Sequence, residues 1–223
     1  MPVILFDIDG TLVRTGGAGK AAMEAALAEE FSVALRAEEV PYSGRTDRAI
    51  SADLLLAHDL DPSPANVARL IDAYLDRLPS ALQQFGGVIC PGISELVAEL
   101  HPRDDVVLGL LTGNVRRGAA HKLGHYGLWD YFPFGGFGDD HAERDDVARS
   151  ALAAARNHAT DVDPADVWVI GDTPLDVKCA RAIGAKAVAV ATGWHPLDEL
   201  QRTGADYVFA DLSDPGELLA RWT

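Results

Sequence analysis

Two aspartates one residue apart carry the most chemistry in this chain. In Phe6-Asp7-Ile8-Asp9-Gly10-Thr11-Leu12 they follow the apolar run Val3 to Phe6, where a buried strand would end. Side chains alternate along an extended backbone, so Asp7 and Asp9 point the same way. Like charges that close raise each other's pKa unless a cation sits between them. Mg²⁺ is the natural candidate, a hard ion that takes carboxylate oxygens and keeps waters for a phosphate ligand. Two later strand ends carry matching groups. Leu110-Leu111-Thr112-Gly113-Asn114 offers a hydroxyl and the free amides of a helix start, which suit a phosphate. Ile170-Gly171-Asp172-Thr173-Pro174-Leu175-Asp176 offers two acids one helical turn apart, with Pro174 fitted to the first turn. Arg144, just ahead of another helix, is the best-placed cation between them.

These groups need a scaffold that brings distant strand ends together. Apolar runs at 3–6, 106–111, 167–170, 187–190 and 207–209 read as strands buried on both faces. Helical stretches at 92–100, 114–125, 144–158, 175–183 and 214–221 alternate with them. Strand–helix alternation predicts an α/β fold, a Rossmann-like parallel sheet with ligands at the carboxyl ends of its strands. Residues 14–87 break the rhythm with helical patterns at 19–36, 47–58 and 64–83 and no strand among them. Three helices are too many for one crossover. An all-helical unit spanning 14–87 is therefore expected inside a core formed by 1–13 and 88–223. Ser63 is placed to cap the helix that starts at Pro64.

Composition narrows the function. The 223 residues hold 19 Lys+Arg against 34 Asp+Glu, a net charge of −15. Sequence-independent DNA binding and binding to anionic lipid both need a basic surface, so neither nucleic acid nor membrane is an expected partner. An anionic substrate would have to be held by local cations. Cys90 and Cys179 form no disulfide framework, and a cytoplasmic location is expected.

The order Asp7-x-Asp9-x-Thr11, Thr112, a cation, then Gly171-Asp172-x-x-x-Asp176 resembles the haloacid dehalogenase superfamily over essentially the whole chain. The helical insert resembles that superfamily's C1 cap, and phosphoglycolate phosphatase-like hydrolases are the most similar members. The resemblance implies Asp7 as nucleophile, forming an aspartyl-phosphate. It implies Asp9 as the acid that protonates the leaving oxygen and then the base that activates water. Thr112 and Gly113 would hold the phosphoryl group, with Asn114 and Thr11 also in the substrate site. Mg²⁺ would be held by Asp7, Asp172, Asp176 and the backbone carbonyl of Asp9. Similar dehalogenases lack an acid at the Asp9 position, so the resemblance implies a phosphatase acting on a small phosphorylated metabolite. A sugar phosphomutase similar to β-phosphoglucomutase is the alternative enzyme, and a non-catalytic binding or regulatory protein the alternative class.

Several residues admit two readings. The superfamily's usual lysine is missing between Lys122 and Lys178, and Arg144 either replaces it or pairs with Asp145 or Asp146. Arg45, in Ser43-Gly44-Arg45-Thr46-Asp47, either clamps a substrate anion or pairs with Asp47. Thr15, Gly16 and Gly17 stand where a hinge is expected. His121 and His125 flank Lys122 at helical spacing, and an ordinary helix surface is expected there. Trp194 lies in a loop beyond a strand end and reaches either the site or a partner.

Overall fold

The computed structural model describes residues 1–36 and 40–222. The chain opens with β1 (Val3–Phe6) and the short β2 (Val13–Arg14), then passes through α1 (Ala18–Glu30), α2 (Asp47–Ala57) and α3 (Pro64–Phe85). It returns through β3 (Val88–Ile89) and α4 (Ile93–Leu100) to β4 (Val107–Leu111), α5 (Arg116–His125) and β5 (Gly135–Gly136). The remainder alternates α6 (Arg144–His158), β6 (Val167–Gly171), α7 (Pro174–Ala182), β7 (Lys186–Val190), α8 (Leu197–Leu200), β8 (Tyr207–Phe209) and α9 (Gly216–Leu219).

Six strands form one parallel sheet in the order β5-β4-β1-β6-β7-β8. This is the expected α/β fold. All four residues of β1 are buried, because helices cover both faces of the sheet. Ile4 and Phe6 pack into one layer with Val97, Leu123 and Trp168, while Val3 and Leu5 pack into the other with Val147, Ala151 and Val169. The central strand β1 is flanked by β4 and β6, with Phe6 level with Leu110 and Ile170. That register brings the residues following three strands to one edge. Asp7, Thr112 and Asp172 are neighbours for this reason, at the switch point where such sheets bind ligands.

The helices α1 to α3 bury their own apolar cluster, including Leu27, Leu55, Leu70, Tyr74 and Leu78. Val115, at the start of α5, joins that cluster from the sheet side. Both ends of the helical segment run through a two-stranded antiparallel ribbon, Val13 opposite Ile89 and Arg14 opposite Val88. Apolar periodicity gave no sign of these two-residue strands.

The helix ends depart from expectation in identifiable ways. α1 stops at Glu30 instead of near 36, and Ser32 takes a positive φ of 53° that ends the helix. Ser63 occupies the N-cap of α3, but its side chain makes no capping bond, and Pro64 alone marks the start. The last helix shrinks to four residues, Gly216–Leu219.

Candidate active site

The chemistry gathers beyond the carboxyl ends of β1, β4 and β6, beneath the helical unit. A cavity of about 870 Å³ opens there, with Asp7, Asp9, Asp172 and Arg144 in its wall on the sheet side. Val13 to Gly17, Lys20, Tyr42, Arg45 and Tyr74 close it from the other side.

Asp7, Asp172 and Asp176 each present a carboxylate oxygen within 4.8 Å of the others, and all three residues are buried. Local structure holds each in place. The Asp7 amide donates to the Ile170 carbonyl at 2.9 Å, continuing the sheet past its last residue pair. Thr11 Oγ1 donates to Asp172 Oδ1 at 3.2 Å. Asp176 forms a capping box with Thr173 at the start of α7, accepting from the Thr173 amide and hydroxyl at 3.0 and 2.7 Å. Gly10 lies against this cluster with φ +88°, and a Cβ there would stand 2.4 Å from Asp172 Oδ2. Only glycine satisfies both the backbone angle and the space.

One cation serves the three acids. Arg144 Nη2 bonds Asp176 Oδ1 and lies 3.4 Å from Asp7 Oδ1. It does not pair with Asp145 or Asp146, which bond Lys178 and Arg149 instead. The imbalance shows in the carboxyls. Burial, with Asp176 and Asp9 nearby, pushes Asp7 up to about 6 against the opposing pull of Arg144 and of a bond from the Ile8 amide. Burial and the charges of Asp176 and Asp7 push Asp172 up to about 9. A site of three hard oxygen donors that is short of positive charge suits a divalent cation.

Asp9 stands apart from that cluster. Its side chain is 43 % exposed, and its Oδ2 accepts from Lys122 Nζ at 2.5 Å and Asn114 Nδ2 at 2.8 Å. Lys122 corrects the expectation of a plain helix surface. His121 is half-buried and His125 exposed, but the Lys122 side chain is only 6 % exposed. Burial pushes its ammonium down, and the charges of Asp9 and Asp47 outweigh that and hold it above its ordinary range. The sequence carried one usable signal. Lys122 sits one turn after Gly118-Ala119 on the α5 face that also buries Leu123, where a solvated lysine does not belong.

The turn after β4 also differs from expectation. Its amides are largely taken: Asn114 N bonds Thr112 Oγ1, Val115 N bonds Asp47 Oδ2 at 2.9 Å, and Arg116 N bonds Asp139 Oδ2 at 2.8 Å. Among the described residues no partner falls to the Gly113 amide. Thr112 is fully buried and accepts from Asn114 Nδ2 at 2.8 Å, keeping its own proton to donate. Thr11, expected at the substrate, instead stands behind Asp172. Arg45 pairs with Asp53 at 2.6 Å, not with Asp47, and remains in the cavity wall. Asp47 crosses from α2 to the start of α5, where burial pushes its carboxyl up to about 6. Its amide donates to the Gly113 carbonyl at 2.8 Å, and Thr46 Oγ1 donates to the Ala142 carbonyl at 2.9 Å. Trp194 is 91 % exposed and forms part of the cavity rim.

Comparison with known proteins agrees with this geometry. The profile of haloacid dehalogenase-like hydrolases matches residues 4–190. A phosphoglycolate phosphatase from Synechococcus elongatus is 30 % identical, over 98 % of this chain and 96 % of its own. A probable phosphatase, IndB, from Dickeya dadantii is 29 % identical over 90 % of this chain and 85 % of its own. The fold superimposes on that of CbbY from Rhodobacter sphaeroides with a TM-score of 0.78, 23 % identity and 97 % coverage of both chains. The chain therefore belongs to the haloacid dehalogenase-like hydrolase family and is a phosphatase of that family.

Proposed function

We propose that this protein hydrolyses the phosphomonoester of a small cytoplasmic metabolite through an aspartyl-phosphate on Asp7. One observation carries the proposal: the acids fall into two groups of different charge balance. Asp7 and Asp176 pair with a single guanidinium that Asp172 also faces, whereas Asp9 is bonded directly by an ammonium and an amide donor.

Asp7, Asp172 and Asp176 would hold Mg²⁺ with the Asp9 carbonyl. When bound, the ion screens the phosphoryl group's charge from the incoming carboxylate. Arg144 keeps Asp7 and Asp176 in register, and its Nε is buried without a hydrogen-bond partner among the described residues, a donor left for a phosphoryl oxygen. The Thr112 hydroxyl and Gly113 amide suit the other oxygens. Asp7 then attacks phosphorus, and the bond to the leaving oxygen breaks as Asp9 donates its proton there. In the second step Asp9 takes a proton from the water that attacks the phosphoenzyme, releasing inorganic phosphate.

The segment 14–87 acts in this reading as a cap over the site. Gly16 and Gly17, with φ of 64° and 93° before α1, supply its hinge with Thr15. Arg45 faces the part of the substrate beyond the phosphoryl group. Phosphoglycolate is the first substrate to try, given the relatives that act on it.

The test is phosphate release from p-nitrophenyl phosphate and a panel of small phosphoesters, with Mg²⁺ or EDTA. Metal-dependent release that Asp7→Asn abolishes supports the proposal. Absence of release from every ester by the Mg²⁺-loaded protein contradicts it, and accumulation of an isomer in place of phosphate would identify a mutase.

A further inference from the structure

Lys122 has no place in the mechanism above, yet it is the most deeply buried lysine near the site. It projects from the last turn of α5, and its Nζ reaches Asp9 Oδ2 at 2.5 Å. Asn114, at the other end of the same segment, donates to the same oxygen at 2.8 Å. Two donors on one oxygen fix the carboxyl plane and leave Oδ1 free of both. Few features of a surface lysine survive here. A solvated ion pair would hold Asp9 loosely, because two long side chains lose entropy in one geometry. A buried ammonium has already lost that freedom, and its position is set by the backbone of α5. Lys122 also lies opposite Asp47, the carboxylate that enters from the helical unit, and Nζ is 3.5 Å from where a Cβ on Gly19 of α1 would stand. The ammonium thus sits in van der Waals reach of α1, between sheet and helices.

We infer that Lys122 is a positioning residue: with Asn114 it holds the Asp9 carboxyl so that Oδ1 meets the leaving oxygen of the phosphoester. The inference rests on the proposed role of Asp9 and deepens it. In the first step the Asp7–phosphorus bond forms, the bond from phosphorus to the leaving oxygen breaks, and the Asp9 proton passes to that oxygen. A carboxyl free to rotate spends much of its time out of reach of the departing atom, so the proton arrives late. The cost depends on how much the leaving group needs the proton. An alkoxide is a poor leaving group and depends on the acid, while p-nitrophenolate departs without one.

The experiment measures kcat/KM for p-nitrophenyl phosphate and for an alkyl phosphate, in wild type, Lys122→Met and Lys122→Gln. This ratio reports only steps up to departure of the leaving group, so slower hydrolysis of the phosphoenzyme does not enter it. Loss of Lys122 should lower kcat/KM for the alkyl ester on the order of 10²-fold, the lower end of general-acid effects. The aryl ester should lose much less, so the alkyl-to-aryl ratio falls about tenfold or more. A role confined to folding, or to attracting anionic substrates, would lower both esters in parallel and leave the ratio unchanged. That outcome overturns the inference. If Lys122→Met fails to fold, the ratio in Lys122→Gln, whose side chain stops one atom short of Nζ and so loses the bond to Asp9, decides by the same criterion. Failure of the parent reading looks different, since wild type would then hydrolyse neither ester.

Discussion

The two carboxylate sites of this protein lie on the same strand end and are treated in opposite ways. At Asp7, Asp172 and Asp176, three buried acids share Arg144, and the carboxyls are pushed up to about 6 at Asp7 and about 9 at Asp172. At Asp9, one half-exposed acid meets a buried ammonium and an amide. In the proposed reading, two residues of chain separate sites with different tasks. The first, short of positive charge, would be completed by a cation, and the second, already facing an ammonium, would be left to handle a proton. Which acid the surrounding helices supply with a counter-charge would then decide between metal and proton transfer.

The largest effect should follow from breaking the first site. Arg144→Met removes the guanidinium that pairs with Asp7 and Asp176, and turnover of any phosphoester should fall about 10²- to 10³-fold. At pH 8 the metal-free variant should also lose about 3 kcal/mol, the usual penalty for unpairing a buried charge, and less at pH 5, where the acids protonate. Arg144→Lys, which restores a point charge without the Nε donor, should recover only part of the activity. Steady-state kinetics and urea unfolding check both statements.

The uneven charge also predicts proton release on metal binding. Burial and neighbouring acids push Asp172 up to about 9, so it would have to ionise to hold the proposed Mg²⁺. Mg²⁺ affinity should rise up to about tenfold per pH unit between about 6 and 9 and level off above that range. Calorimetry in buffers of different ionisation enthalpy should find close to one proton released at pH 7.

A smaller effect belongs to Asp47, the acid that joins the helical unit to α5. Its folded value of about 6 lies above the ordinary 3.8. The folded state therefore binds more protons over that interval, and the stability contribution is lost as pH rises from about 4 through about 6. Asp47→Asn removes the titration and keeps an acceptor for the Val115 amide. Its melting temperature relative to wild type should climb by several degrees between pH 4 and pH 7, a difference on the order of 1–3 kcal/mol. The least effect is expected at Trp194. Its side chain is almost fully exposed, so Trp194→Ala should change stability by less than about 0.5 kcal/mol.

Legibility in the sequence follows how each feature is encoded. β1, β4, β6 and β7 were readable because burial on both faces leaves continuous apolar runs bounded by Gly, Asp or Thr, and the half-buried β8 because Tyr207-Val208-Phe209 is apolar throughout. β5 was not, because Gly135-Gly136 has no side chain to show a pattern and pairs through its backbone with Leu110 and Leu111. The ribbon of β2 and β3 was too short for any period. Asp7, Asp172 and Asp176 could be singled out because each acid interrupts an apolar strand or opens the helix behind it. Lys122 offered only its place on the buried face of α5, because its partner is 113 residues away and its burial depends on how helices from the 14–87 segment cover α5. The capture of the Val115 and Arg116 amides was hidden for a similar reason, since Asp47 and Asp139 reach them only in three dimensions.

The most direct test of the account is a rapid acid quench of the Mg²⁺-loaded enzyme during turnover of a phosphoester labelled in its phosphoryl group, followed by peptide mapping. Nucleophilic attack by Asp7 predicts transient label on the N-terminal peptide at Asp7, formed and lost at rates that match turnover, and none in Asp7→Asn. Product formed at full rate with no label passing through the protein would mean that water attacks phosphorus directly, and would contradict the assignment of Asp7 as nucleophile.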